Sequence, residues 1–272
     1  DIDEQAVEVA KFSLLLKVLE EVREGEIEDK LNQHIKALPP LENNIKCGNT
    51  LIDISSYTKF RNIPIIEKKE FHTIKPFNWH ESFSNVFNRS HPGFDIVLGN
   101  PPYTKIQNII EYFPLEAGYY KSTNSPFISS KSNNFDKYQL FIERSINLLN
   151  SSGILGYIVP HKFMTTKSGE PIRTVISKNK YLQELVHFGT LQVFGNQSTT
   201  YTCIIILKKE KTDVFQYEKV NSLISWVSST NNQLTISTDS LPGAPWLFPT
   251  KQQKDMFDQI EHQSHLELGD IA

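Results

Sequence analysis

Cysteine is almost missing from this chain: Cys47 and Cys203 are the only two among 272 residues, and they lie far apart in sequence. A disulfide-stapled secreted scaffold is thereby excluded, and both thiols read as reduced core residues, Cys203 within the apolar run Cys203-Ile-Ile-Ile-Leu207. No stretch approaches the roughly 18 consecutive apolar residues of a membrane span, and the start of the chain has no signal-peptide pattern. A cytoplasmic protein without a membrane partner is expected. Excess charge is lacking too. With a net charge of −3 there is no general basic coat, so any nucleic-acid contact must come from a local patch or another domain. The eight histidines and two cysteines show no metal-ligand spacing. Neither an internal repeat nor a heptad array is present, which excludes solenoids and long coiled coils.

What is present is an alternation of helical and strand patterns. Val7, Ala10, Leu14, Val18 and Val22 keep helical spacing up to a charged run at 23–26, predicting an amphipathic helix behind a strand that ends at Asp1-Ile2-Asp3. With no Met at its start, the chain reads as a segment of a longer protein. Residues 23–44 read as a surface excursion, and Ile45-Lys46-Cys47 as a short strand stopped by Gly48-Asn49. No clear period marks 53–75, whereas the aromatics Phe77, Trp79, Phe83 and Phe87 are expected to pack on a sheet. Residues 104–134 read as a long irregular loop, either a lid or a substrate contact. A helix opened by Phe135-Asp-Lys-Tyr138 with apolar positions to Leu149, a strand over 154–159, a helix after the Gly169-Glu-Pro171 break to about residue 180 and strands over 182–188 and 202–207 complete a doubly wound α/β pattern. This assigns 1–212 to one domain. The looser stretch 213–272, with a helix near 250–262, reads as a linker and the start of a further region.

Within that pattern, residues 94–103 read Phe-Asp-Ile-Val-Leu-Gly-Asn-Pro-Pro-Tyr. A short buried-type strand thus runs straight into a turn at its carboxyl edge, where open α/β sheets bind ligands. Pro101 and Pro102 stiffen the turn and remove two N–H donors, leaving carbonyls to accept hydrogen bonds. The Asn100 side-chain oxygen and the Pro101 carbonyl could together receive both hydrogens of an –NH2 group, freeing its lone pair to attack an electrophile. Tyr103 would stack on the ring that bears the amine.

These residues resemble the catalytic motif of amino-methyltransferases that use S-adenosylmethionine. Further segments match in order: Asp1-Ile2-Asp3 with Ala6-Val7, Cys47-Gly-Asn-Thr-Leu51, Phe77-Asn-Trp79, Tyr138-Gln-Leu-Phe141 and Gly153-Ile-Leu-Gly-Tyr-Ile-Val-Pro160. Together they resemble an adenine-N6 DNA methyltransferase, above all the methylase part of type IIG restriction-modification enzymes. The resemblance implies a Rossmann-like methyltransferase fold, here truncated at its first strand, and methylation of double-stranded DNA at a flipped adenine. It gives Asp1, with Asn49, the cofactor, Asp1 binding the ribose hydroxyls with Asp3 as fallback and Asn49 meeting the adenine. It gives Phe194, in the loop between the last two strands, the task of stacking on the flipped base.

Two departures accompany the resemblance. The Gly-rich loop that follows the first strand in this family is absent from the sequence, so this segment is expected to bind S-adenosylmethionine poorly and to be inactive by itself. The recognised DNA sequence is not legible, and a nuclease, if the parent enzyme has one, would lie upstream. His161 and Lys162 could touch phosphate, and Lys167, Arg173, Lys178 and Lys180 could form a basic face for the DNA backbone. Methylation of a protein glutamine amide, and a noncatalytic DNA-binding module, remain open as other readings.

Overall fold

The computed structural model describes residues 1–21, 40–63, 65–132, 134–195, 200–228 and 233–248, with 256 and 259. Most of the excursion expected over 23–44, and all but two residues of the helix expected near 250–262, lie outside these residues. Strands β1 (Phe94–Gly99), β2 (Leu149–Pro160), β3 (Leu182–His187), β4 (Thr202–Lys208), β5 (Val214–Lys219) and β6 (Gln233–Ser237) form one sheet in the order β1-β2-β4-β3-β5-β6. β1 runs parallel to β2, and β3 parallel to β5, while β4 is antiparallel to both β2 and β3. β4 pairs Thr202 with Pro160 at the end of β2 and Cys203 with His187 at the end of β3. The connection from β3 to β4 therefore emerges on the same sheet edge as the end of β1, which puts Phe194 and Asn100 on one side of the molecule.

Helices fill the intervals: α1 (Glu4–Glu21), α2 (Ile54–Arg61), α3 (Lys68–Ile74), α4 (Trp79–Ser82), α5 (Ser84–Phe87), α6 (Ile106–Tyr112), α7 (Pro114–Lys121), α8 (Lys137–Leu148), α9 (Glu170–Lys178) and α10 (Leu223–Ser228). One face of the sheet presents Leu155, Tyr157, Val159, Cys203, Ile205 and Leu207 to Tyr138, Ile142 and Ile146 of α8 and to Ile172 and Ile176 of α9. That is the period of 2 from strands meeting the period of 3.6 from helices. The other face is covered near β3 by Leu223 and Trp226 of α10. Beside β1 it is open, and Ile96 and Leu98 are 61% and 75% exposed.

The expected loop over 104–134 contains α6 and α7, seven and eight residues long. Helices this short do not persist alone. Ile106, Ile109, Tyr119 and Tyr120 are buried against Leu51, Ile52 and Tyr57, and each buried side chain of this kind contributes about 1.5–3 kcal/mol. Packing between distant segments, rather than local pattern, makes these helices. The same cluster takes in α2, whose start is capped by the Asp53 side chain accepting from Ser55 N and Ser56 N.

Three further expectations differ. Helix α1 forms where its spacing predicts, yet of the apolar stripe only Val7 is buried, and Leu14 and Val18 are exposed among the described residues. Ile45-Lys46-Cys47 is not a strand. Its neighbourhood is tied instead by Gly48 N to the Asp1 carbonyl at 2.7 Å and Asn49 N to the Lys75 carbonyl at 2.6 Å. Beyond residue 212 the chain contributes β5 and β6 to the same sheet, and Trp246 packs edge-on against Phe163. Strands β5 and β6 thus continue the sheet formed by β1 to β4, beyond the residue 212 boundary that the sequence pattern suggests.

Candidate active site

β1 stops at Gly99 and the chain turns through Asn100-Pro101-Pro102-Tyr103. Pro101 is buried and holds the turn against the protein. Asn100 is exposed, and its side-chain amide has no hydrogen-bond partner among the described residues. Tyr103 is half-buried. Its hydroxyl donates to the Ile158 carbonyl of β2 at 3.1 Å, its ring meets Tyr138 edge-on at 6.2 Å, and burial pushes its pKa up to about 12. The turn is therefore rigid on its inner side and open at Asn100.

A cavity of about 860 Å³ lies beside this turn. Asp1, Asn49, Asn100, Pro101 and Pro102 all line it, with Trp79, Val97, Phe141 and Lys137. Residues separated by up to 140 positions in sequence are thus brought to one hollow at the carboxyl edge of β1. Gly48 permits the close approach of this wall, since a Cβ there would come within 2.6 Å of the Phe77 ring. Asp1 turns one carboxylate oxygen to Asp3 N at 2.9 Å, and its other oxygen has no partner among the described residues. Asn49 is buried, and its amide is already engaged: Oδ1 accepts from Leu51 N at 3.1 Å and Nδ2 donates to Glu116 at 3.3 Å. Tyr103 borders the cavity through the turn without lining it. Phe194 stands apart, 47% exposed on the β3–β4 connection.

The neighbouring strand end is equally built. After β2, Lys162 pairs with the buried Asp136 carboxylate at 2.7 Å, and Lys137 N donates to the Thr104 carbonyl at 2.8 Å. Both contacts bind the start of α8 to the loops on either side. His161 Nδ1 and His187 Nε2 share a hydrogen bond of 2.8 Å, and His187 Nδ1 lies 3.4 Å from the Tyr217 hydroxyl. Burial, with the positive charge of Lys219 and the neighbouring His161, lowers the His187 pKa to about 4. His161 and Lys162 are therefore occupied within the protein.

The basic face expected from Lys167, Arg173, Lys178 and Lys180 does not form as a unit. Arg173 is 1% exposed and donates to the carbonyls of Phe163, Thr166, Gly243 and Ala244. Lys180 pairs with Asp239 at 2.8 Å and Asp213 at 3.7 Å. A guanidinium that bridges four carbonyls is an internal clamp, and no charge pattern along α9 reveals it.

Sequence reasoning missed one group that the fold places directly behind the cavity wall, in contact with its lining residues Asn49 and Lys137. Glu116 of α7 is buried, and its Oε1 accepts from Lys137 Nζ at 2.7 Å and from the Tyr120 hydroxyl at 2.5 Å, besides Asn49. Glu116 sits in a stretch without periodicity, 21 positions before Lys137, and no motif joins them.

A model of the family described as Eco57I restriction-modification methylase matches residues 1–194. The type II restriction enzyme and methyltransferase RM.Eco57I of Escherichia coli is 35% identical over 278 residues, covering 100% of this chain and 25% of that protein. The putative type II restriction enzyme and methyltransferase RM.MjaORFECS2P of Methanocaldococcus jannaschii is 28% identical over 200 residues, covering 74% and 15%. The type II methyltransferase M.HincII of Haemophilus influenzae is 24% identical over 208 residues, covering 68% and 40%. The chain thus spans between 15% and 40% of the length of these relatives.

Proposed function

The chain belongs to the Eco57I restriction-modification methylase family, and from that premise we propose that it forms the methylase part of a restriction-modification enzyme, transferring methyl from S-adenosylmethionine to N6 of a flipped adenine in double-stranded DNA. The observation that carries this reading is the exposed, unpartnered amide of Asn100 on a proline-stiffened turn, in one cavity with Asp1 and Asn49.

The residues fit the cofactor. The cavity has the size of a nucleoside-bearing ligand site, Asp1 keeps a free carboxylate oxygen for ribose hydroxyls, and Trp79 and Phe141 give flat apolar walls. Bound there, S-adenosylmethionine supplies a methyl group made electrophilic by its sulfonium. Asn100 Oδ1 and the Pro101 carbonyl accept the two N6 hydrogens of adenine, drawing the nitrogen lone pair out of the ring and aiming it. Pro101 and Pro102 hold these acceptors in place without donors that would compete. Tyr103 bounds the base beside the turn, its ring fixed by the bond to Ile158. Phe194 offsets the unstacking of the flipped base from the far side.

The test uses the whole protein: transfer of labelled methyl to mixed-sequence duplex DNA, with Asn100→Ala alongside. Label recovered as N6-methyladenine and lost in the variant is the expected result. Cofactor binding with no label on DNA, or label on cytosine or protein alone, overturns the assignment.

A further inference from the structure

Lys137 is the only basic side chain lining the cavity among the described residues. It opens α8, and its ammonium is held by the buried carboxylate of Glu116 at 2.7 Å. Glu116 is itself fixed: it is 4% exposed, and the same oxygen accepts from Tyr120 and Asn49. A largely buried Glu–Lys pair is costly to desolvate and is weak evidence of stability, so a lysine in the wall of a ligand cavity held by a buried carboxylate behind it calls for a use.

The chemistry of the pair narrows that use. Glu116 and Lys137 neutralise each other, so the pair adds no net positive charge to a cavity that already holds the Asp1 carboxylate, and it does not draw in a phosphate or carboxylate. What it offers is directed N–H donation, since Lys137 has three donors and Glu116 is its only hydrogen-bonded partner among the described residues. The surfaces around it, Trp79, Val97, Pro102 and Phe141, are apolar and in part flat. A fixed donor beside flat apolar walls suits a neutral heteroaromatic ring with lone-pair nitrogens.

We propose that Lys137 donates a hydrogen bond to a ring nitrogen of the cofactor's adenine, and that Glu116 is the positioning residue that aims it. This inference rests on the cofactor reading given above. It makes Lys137 a determinant of cofactor affinity, distinct from the amine-binding turn at Asn100.

The experiment measures binding of S-adenosylhomocysteine, which needs no turnover, to the whole protein by titration calorimetry. The protein variants are Lys137→Met, Glu116→Gln and the double variant Glu116→Gln/Lys137→Met, which leaves no buried charge unpaired and keeps the test valid should the single variants fold poorly. The 1-deaza, 3-deaza and 7-deaza forms of S-adenosylhomocysteine each lack one ring nitrogen. Loss of a charge-assisted hydrogen bond corresponds to about tenfold in affinity or more. The expected result is that the double variant binds S-adenosylhomocysteine about tenfold more weakly, that one deaza analogue loses as much on the wild-type protein, and that this analogue loses nothing further on the variant. Binding of the double variant within twofold of wild type, or equal losses on both proteins for every analogue, overturns the proposal while leaving the cofactor reading standing. Failure of the wild-type protein to bind S-adenosylhomocysteine at all would remove both. Unchanged cofactor affinity with weakened DNA binding would transfer Lys137 to the DNA instead.

Discussion

The hydroxyl of Tyr103 donates to the Ile158 carbonyl 3.1 Å away, so the residue that follows the proline pair is tied to the strand beside the one it ends. Tyr103→Phe removes the tie and keeps the ring. One neutral hydrogen bond contributes about 1 kcal/mol net, so a melting temperature lower by a few degrees is expected, along with a reduced methylation rate constant and little change in DNA affinity. Tyr103→Ala, which also deletes the proposed stacking ring, should weaken DNA binding as well. Equal DNA affinities for the two variants would remove the ring from base recognition.

The His161–His187 pair makes stability depend on pH. His187 has its pKa lowered to about 4 by burial, His161 and Lys219, and that of His161 is lowered by burial. The groups facing them are Tyr201, Tyr217 and Lys219. An unfolded chain takes up protons below about 6.5 that the folded chain refuses, so the contribution is complete above that pH and declines as pH falls toward 4. At pH 5 the folded protein should therefore be less stable than at pH 7.5, with His187 the larger contributor of the two. Denaturant unfolding at pH 7.5 and pH 5 measures it, and His187→Asn should show the smaller difference between the two.

Phe194 is 47% exposed, so its ring is available to a ligand at little cost to the core. Phe194→Ala should leave the melting temperature within about a degree, as surface substitutions do, while weakening binding of a duplex with a flipped base by about 1–3 kcal/mol. Fluorescence of 2-aminopurine at the target position reports the flip. Unaltered fluorescence in the variant would take Phe194 out of the site.

Arg173→Met should be among the most destabilising single changes in the chain. It removes a donor from four carbonyls, of which Thr166 keeps Gly169 N at 3.1 Å, and each buried acceptor left unpaired costs about 1–3 kcal/mol. Thermal unfolding checks this, and a loss below about 1 kcal/mol would contradict the internal clamp. Lys178→Met, on the exposed side of the same helix, serves as the control.

The parts of the fold that were legible are those whose signal is local. β1 and its turn, α8, β2, β3 and β4 each carry an apolar period, a glycine or proline stop, or both, within a dozen residues. The helices α6 and α7 were not legible, because their stabilising partners are Leu51, Ile52 and Tyr57, about 50 residues or more earlier. Arg173 was misread for a related reason: α9 shows its spacing among lysines, but two of its acceptors are Gly243 and Ala244, about 70 residues on. Of the candidate site, Asp1, Asn49 and the Asn100 turn do meet in one cavity. Glu116 and Lys137 escaped notice because a buried ion pair has no sequence period at all.

The position of β4 sets an order of events as the polypeptide leaves the ribosome. β3 emerges before β4, yet on the sheet it touches only β4 and β5, and so it has no edge to join when it first appears. The half built from β1 and β2 must wait with the side of β2 unpaired until β4 arrives and closes seven residue pairs along it. Such late, non-local closure is the slow kind. Until β4 is seated, the side of β2 that it pairs with is an open strand edge, so β4 is the strand whose arrival joins the two halves of the sheet.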